Sequence, residues 1–182
     1  MRKYRLYAFL ICFGSAFAQS ADQQPAAILE LGGAESSNIR DGSLSFGADL
    51  AAEVTTIENW LELEAGVTPL FTRHSREWDT DLLFKKPWDL SKRLEFMCGV
   101  GPEWIHSREN GLTTNSFAIE GVLDFMFWPS ANRRLGWFIE PGYEYSFGRG
   151  HERSIGFSAG LLIAIPKLRR SGAIQPNRPR VE

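Results

Sequence analysis

The chain has 182 residues, is 43% hydrophobic and 13% aromatic, and carries a formal charge of −2 at pH 7. This is one domain of ordinary size, without the basic excess that a nucleic-acid binder shows. The mean hydropathy of −0.21 and the lack of any apolar run of about 18 residues past the N-terminus exclude membrane-crossing helices.

Residues 1–18 read as a secretory signal peptide. Arg2, Lys3 and Arg5 give the positive start, Tyr7 to Phe13 the short apolar core, and Ala16-Phe17-Ala18 the small-x-small cleavage site, so that Gln19 begins the mature chain. Three positive charges leave with this leader, which takes the net charge from −2 to −5. Cys98 is then the remaining thiol, so no internal disulfide is expected and stability must come from packing and hydrogen bonding.

Residues 19–25 are a polar linker. From 26 to 166 apolar residues alternate with polar or small ones, and turn residues separate the runs; a period of two sends successive side chains to opposite faces of a strand. Eight strands follow, over about 26–35, 43–56, 60–72, 77–89, 94–106, 115–128, 135–147 and 152–165. The second is the cleanest, with Leu44, Phe46, Ala48, Leu50, Ala52 and Val54 on one face against Ser45, Gly47, Asp49, Ala51, Glu53 and Thr55 on the other. The longest loop is expected over Ser107 to Thr114. Pro69, Pro102 and Pro141 fall inside strands, where proline removes a ladder bond and usually marks bulges or ends. Residues 167–182 are basic, contain proline and read as a disordered tail.

Alternation leaves open which face is inside. A soluble, lipocalin-like periplasmic barrel holding an apolar ligand would turn the apolar face inward; a membrane barrel reverses this. Size favours the second. One face carries the rings, among them Trp78, Phe84, Trp104, Phe125, Trp137 and Tyr143, and the other carries Gly32, Gly47, Gly66, Gly99, Gly101, Gly142, Gly156 and Gly160. An eight-stranded barrel has an interior just wide enough to be filled by side chains, so the rings belong outside. They also concentrate near strand ends. Trp60, Trp78, Trp88, Trp104, Trp137 and Tyr145 are the candidate aromatic girdle, the belt that membrane barrels carry at both interfaces. The expected fold is therefore all-β, an antiparallel up-and-down transmembrane β-barrel of about eight strands. Lys86 falls on the lipid face near a strand end, from which it can snorkel to the interface.

With these features, and in segments such as Glu95-Phe96-Met97-Cys98-Gly99-Val100-Gly101-Pro102-Glu103-Trp104 and Glu140-Pro141-Gly142-Tyr143-Glu144-Tyr145-Ser146-Phe147, the chain resembles the small single-chain outer-membrane β-barrel proteins of Gram-negative bacteria. The resemblance implies a monomer in the outer membrane, surrounded by lipid and lipopolysaccharide, with both termini in the periplasm. It implies no particular activity and no cofactor. Many such barrels end on an aromatic residue, whereas strand eight here ends at Ile165-Pro166 and a tail follows.

The inner face is acidic. Asp49, Glu53, Glu62, Glu64, Asp79, Asp81, Glu103, Glu120, Glu140 and Glu144 are its expected cluster, extended by Glu30, Glu95 and Asp124, and Lys85 is the one cation sharing it from mid-strand. Carboxylates so crowded repel unless paired, protonated or occupied by cations. Two readings follow: a structural network completed by rim arginines (Arg73, Arg76, Arg93, Arg108, Arg149, Arg153), or small-solute and cation passage or binding, with Glu62/Glu64 and Asp79/Asp81 on adjacent strands as hard-cation ligands. An enzyme is the further alternative. Barrel lipid A-modifying hydrolases place a His and a Ser two residues apart, but His106-Ser107 and His74-Ser75 are adjacent and so point to opposite faces. Glu103, His106 and Ser107 do not match that spacing, and a non-enzymatic barrel is expected.

Overall fold

The computed structural model describes residues 25–167, apart from 74, 110, 131–132 and 149–150. The expected leader, most of the linker and nearly all of the tail lie outside the described residues, as do His74 and Arg149. Eight strands form, β1 (Ala27–Asn38), β2 (Leu44–Ile57), β3 (Leu61–Phe71), β4 (Ser75–Ser91), β5 (Leu94–Glu109), β6 (Leu112–Phe127), β7 (Leu135–Ser146) and β8 (Arg153–Ile165). Each pairs antiparallel with the next, and β8 returns to β1 to close the barrel. Closure removes the free edges on which an open sheet would pair with a second chain.

Both termini of the barrel lie at one end, here the terminal end, together with the turns after β2, β4 and β6. The opposite, rim end carries the turns after β1, β3, β5 and β7. Strands β4, β5 and β6, with 17, 16 and 16 residues, are the longest and extend the wall at the rim. The loop expected over Ser107 to Thr114 is not there: the β5–β6 ladder continues through Ser107↔Thr114, Arg108↔Thr113 and Glu109↔Leu112. The strands turn at Gly111, which supplies a φ of 84°. Polar residues hid this extension, because a hairpin whose two faces both meet water has no need to alternate.

The three strand prolines do not produce bulges. Pro69 pairs with Trp78, Pro102 with Ile119 and Pro141 with Phe157. On its other side each leaves a two-residue gap in the ladder, toward β2, β4 and β6 respectively, and the register beyond the gap is unchanged. A missing N–H deletes a bond on one side only, and all three side chains point outward. Irregular register occurs instead beside the terminal-end turns, at Thr55/Ile57 and Asp89/Ser91.

The closing seam is tight. Gly160 sits opposite Gly32, and a Cβ on Gly160 would overlap the Leu31 carbonyl and the Gly32 Cα, both of them backbone that cannot swing aside. Gly160→Val is therefore expected to destabilise the barrel by roughly 1–3 kcal/mol through overpacking. On a gel it would show as a reduced fraction of the compact, unboiled species; an unchanged fraction would count against the seam as a constraint.

Candidate functional site in the barrel lumen

The two faces divide as the alternation requires. Leu50, Phe46, Trp78, Phe84, Val100, Trp104, Phe117, Trp137, Phe157 and Leu161 are exposed, while Glu30, Asp49, Glu53, Glu62, Glu64, Asp79, Lys85, Glu95, Glu103 and Asp124 are buried. A lipocalin-like barrel would show the reverse, so an apolar-ligand lumen is not what this chain builds. The exposed rings meet in two groups. Near the terminal end Trp88 stacks on Phe96 at 5.5 Å, Phe96 lies 5.0 Å from Phe125, and Phe127 stacks on Trp137 at 4.1 Å. Near the rim Trp104 stacks on Phe117 at 6.2 Å and Tyr145 meets Phe147 edge-on. Trp78 is beside His106 in the same rim group, and Trp60 is exposed just after the β2–β3 turn. Lys86, on this outer face, reaches to the Asn59 carbonyl at 2.6 Å and lies 5.8 Å from the Trp88 ring centre.

Inside, the lumen is layered. At the terminal end Ile28, Met97, Met126, Trp128, Phe138 and Leu162 pack into an apolar plug. The interior was expected to be mainly small and acidic; the plug adds large apolar side chains, Trp128, Met126 and Leu162 among them. Glycine is what makes room for the rings. A Cβ on Gly136 would stand 2.8 Å from the Trp128 ring, and one on Gly32 would stand 3.1 Å from the Phe138 ring.

Above the plug, Lys85 lies wholly buried at the centre of a charge network. Its ammonium donates to Glu140 at 2.6 Å and Asp124 at 3.1 Å and is ion-paired with Glu64 at 2.5 Å. Gly99, directly across β4–β5, leaves space for its stem: a Cβ there would be 2.8 Å from Lys85 Cγ. One oxygen each from Glu30, Glu53, Glu64 and Asp124 lies within 4.8 Å of the others. The expected ligand set, Glu62/Glu64 with Asp79/Asp81, does not form. Register sets Glu62 beside Lys85 and Glu64 beside Leu83, while Asp81 and Asp79 stand higher, beside Gly66 and Thr68.

The upper lumen is a cavity of about 60 Å³ that runs from Glu64 toward the rim, lined by Asp79, Asp81, Glu103, Glu120, Glu140 and Glu144. Asp49 accepts a bond from Thr68 at 3.4 Å at the same level. This volume holds only a few water-sized occupants.

The cations that complete the network differ from those expected. Arg73, Arg76, Arg93, Arg108 and Arg153 are exposed, and none is ion-paired to a lumen carboxylate among the described residues. Arg133, in the β6–β7 turn, enters instead, donating to Glu95 at 2.8 Å and Asp89 at 3.0 Å. Glu103, His106 and Ser107 do not converge. His106 faces out and bonds Asn115 at 2.7 Å, whereas Ser107 faces in and bonds Ser75 at 3.4 Å.

No family model matches the chain, and no curated protein matches it in sequence. Solved structures do resemble it. Neisserial surface protein A shares 12% identity at a TM-score of 0.61, over 76% of this chain and 96% of that one. The N-terminal β-barrel domain of Pseudomonas aeruginosa OprF shares 9% at 0.56, over 78% and 100%. The attachment invasion locus protein Ail of Yersinia pestis shares 14% at 0.52, over 77% and 98%, and has also been solved with the heparin analogue sucrose octasulfate. At such identities the likeness establishes the fold: the chain is an eight-stranded closed barrel of the kind found in small Gram-negative outer-membrane proteins.

Proposed function

We propose that the chain is exported, loses its leader near Ala18 and spans the outer membrane as a monomeric, non-enzymatic barrel with a structural role. One observation carries this: the rings and aliphatic side chains are exposed in a band around the barrel, while the carboxylates and Lys85 are buried within it. In water that arrangement leaves a large apolar surface uncovered; in a bilayer it is the stable one. Trp60, Trp88 and Trp137 then mark the periplasmic interface, and Trp78, Trp104 and Tyr145 the outer one. Exposed Arg76 stands directly across from exposed Arg108 above Trp78 and His106. Like charges so placed destabilise a sheet unless an anion lies between them, and the phosphates of lipopolysaccharide meet that need. The structural network is the favoured role of the lumen, because the plug blocks the terminal end.

Cell fractionation followed by electrophoresis with and without boiling tests the proposal. The tagged full chain is expected in the outer-membrane fraction, migrating faster unboiled. Recovery in the soluble periplasmic fraction would refute it. Passage of small cations is the second reading, favoured by the acidic cavity, and it requires Trp128 and Phe138 to leave the lumen.

A further inference from the structure

We propose that Glu30, Glu53, Glu64 and Asp124 form a binding site for one divalent cation of the calcium type, enclosed between the plug and the upper cavity. The four come from β1, β2, β3 and β6, so only barrel closure brings them together. One oxygen of each lies within 4.8 Å of the rest. Calcium takes oxygens at about 2.3–2.6 Å, so opposed ligands up to about 5 Å apart suit it, whereas magnesium dehydrates reluctantly and is seldom held by an all-protein cage. The donors are all carboxylate, a hard-cation set; Cys98 and His106 face outward.

A second observation points to a ligand rather than to mere acidity. Glu53 is 0% exposed, and neither of its oxygens has a hydrogen-bond partner. Glu30 Oε1 and Asp124 Oδ1 are likewise buried and unpartnered. Lys85 does not answer this need: it takes Asp124 by the other oxygen, Oδ2, and makes no ion pair with Glu30 or Glu53. Ionised carboxylates removed from water without a partner cost several kcal/mol each, and a divalent ion supplies the missing charge and coordination together. Its route in is the acidic cavity, whose lower wall includes Glu64. The site requires only the closed barrel, and so goes beyond the proposed membrane role without depending on ion passage.

The test uses the full mature chain refolded in detergent, with the unboiled gel shift confirming closure. After chelator stripping, dialysis against calcium and elemental analysis should find about one calcium per folded chain. The temperature at which the compact band converts should rise with calcium and fall with chelator, and magnesium should act more weakly. Glu53→Gln, nearly isosteric, should bind at least roughly tenfold more weakly, because affinity follows ligand charge. Glu58→Gln, a change in the exposed β2–β3 turn away from the cavity, should bind as the parent does. If Glu53→Gln does not close, Asp124→Asn and Glu30→Gln carry the same expectation. Three results would overturn the proposal: folded chain without calcium, equal loss in Glu58→Gln and the quartet variants, or a conversion temperature that follows pH and ignores calcium. The last would mean that protons neutralise the layer.

Discussion

Replacing Lys85 by methionine is expected to cost about 3–5 kcal/mol of barrel stability, the penalty for removing one partner of a buried ion pair. Methionine matches the stem that lies against Gly99, so packing changes little and the loss is electrostatic. The ammonium is fully buried and touches Glu64, Asp124 and Glu140. Without it those three stand unpaired beside Glu30 and Glu53. Denaturant titration of the refolded chain in detergent, followed by tryptophan fluorescence, gives the cost. Asp124→Asn together with Glu64→Gln in the Lys85→Met background should recover part of it, since apolar or neutral replacements of a whole network are far better tolerated than a broken one. The deficit should also shrink in acid, where protonated carboxyls no longer repel. A Lys85→Met barrel as stable as its parent at neutral pH would refute the central role of this ammonium.

How much of this was legible beforehand divides along one physical line. Period-two alternation reports the side of the wall, and it reports it well: Leu44, Phe46 and Leu50 point out and Asp49 and Glu53 point in, as read. It also singles out Lys85 as the mid-strand cation of the inner face. Alternation does not report depth along the axis. Depth depends on the register of each of eight pairings, and the errors accumulate around the barrel. Hence Glu62/Glu64 and Asp79/Asp81, neighbours by strand order, occupy different levels, while Glu30 and Asp124, far apart in order, share one. The plug escaped notice for the same reason. Phe138 falls on the inner face by its two-residue spacing from Glu140, but nothing in its own strand says that Trp128, Met97 and Leu162 arrive at its level. A hint was present in the glycines. Gly32 and Gly136 are the vacant positions into which Phe138 and Trp128 fit, and a glycine on a barrel's inner face implies either a tight neighbour strand or a large side chain across the lumen.

Opening the plug should turn a closed barrel into a cation-selective one. The wild-type chain in a planar bilayer is expected to show no steady conductance, because Ile28, Met97, Met126, Trp128, Phe138 and Leu162 fill the terminal end and offer no side-chain oxygen to carry a cation. Phe138→Ala with Trp128→Ala removes both rings. Each single change should destabilise by about 3–5 kcal/mol, as large-to-small core substitutions of aromatics do, so the variant must first be shown to close by its unboiled migration. In a closed variant the void left above the turns joins the layer of Glu30, Glu53 and Asp124 to the terminal end, and water enters it. The acidic lining then concentrates cations and repels anions, giving discrete openings whose reversal potential shifts in the cation direction. Asp79→Asn with Asp81→Asn in that background should weaken the selectivity, since both carboxylates border the cavity above. Conductance in the wild-type chain equal to that of the opened variant would show that the plug does not seal. In that case, passage rather than structure becomes the reading of the lumen.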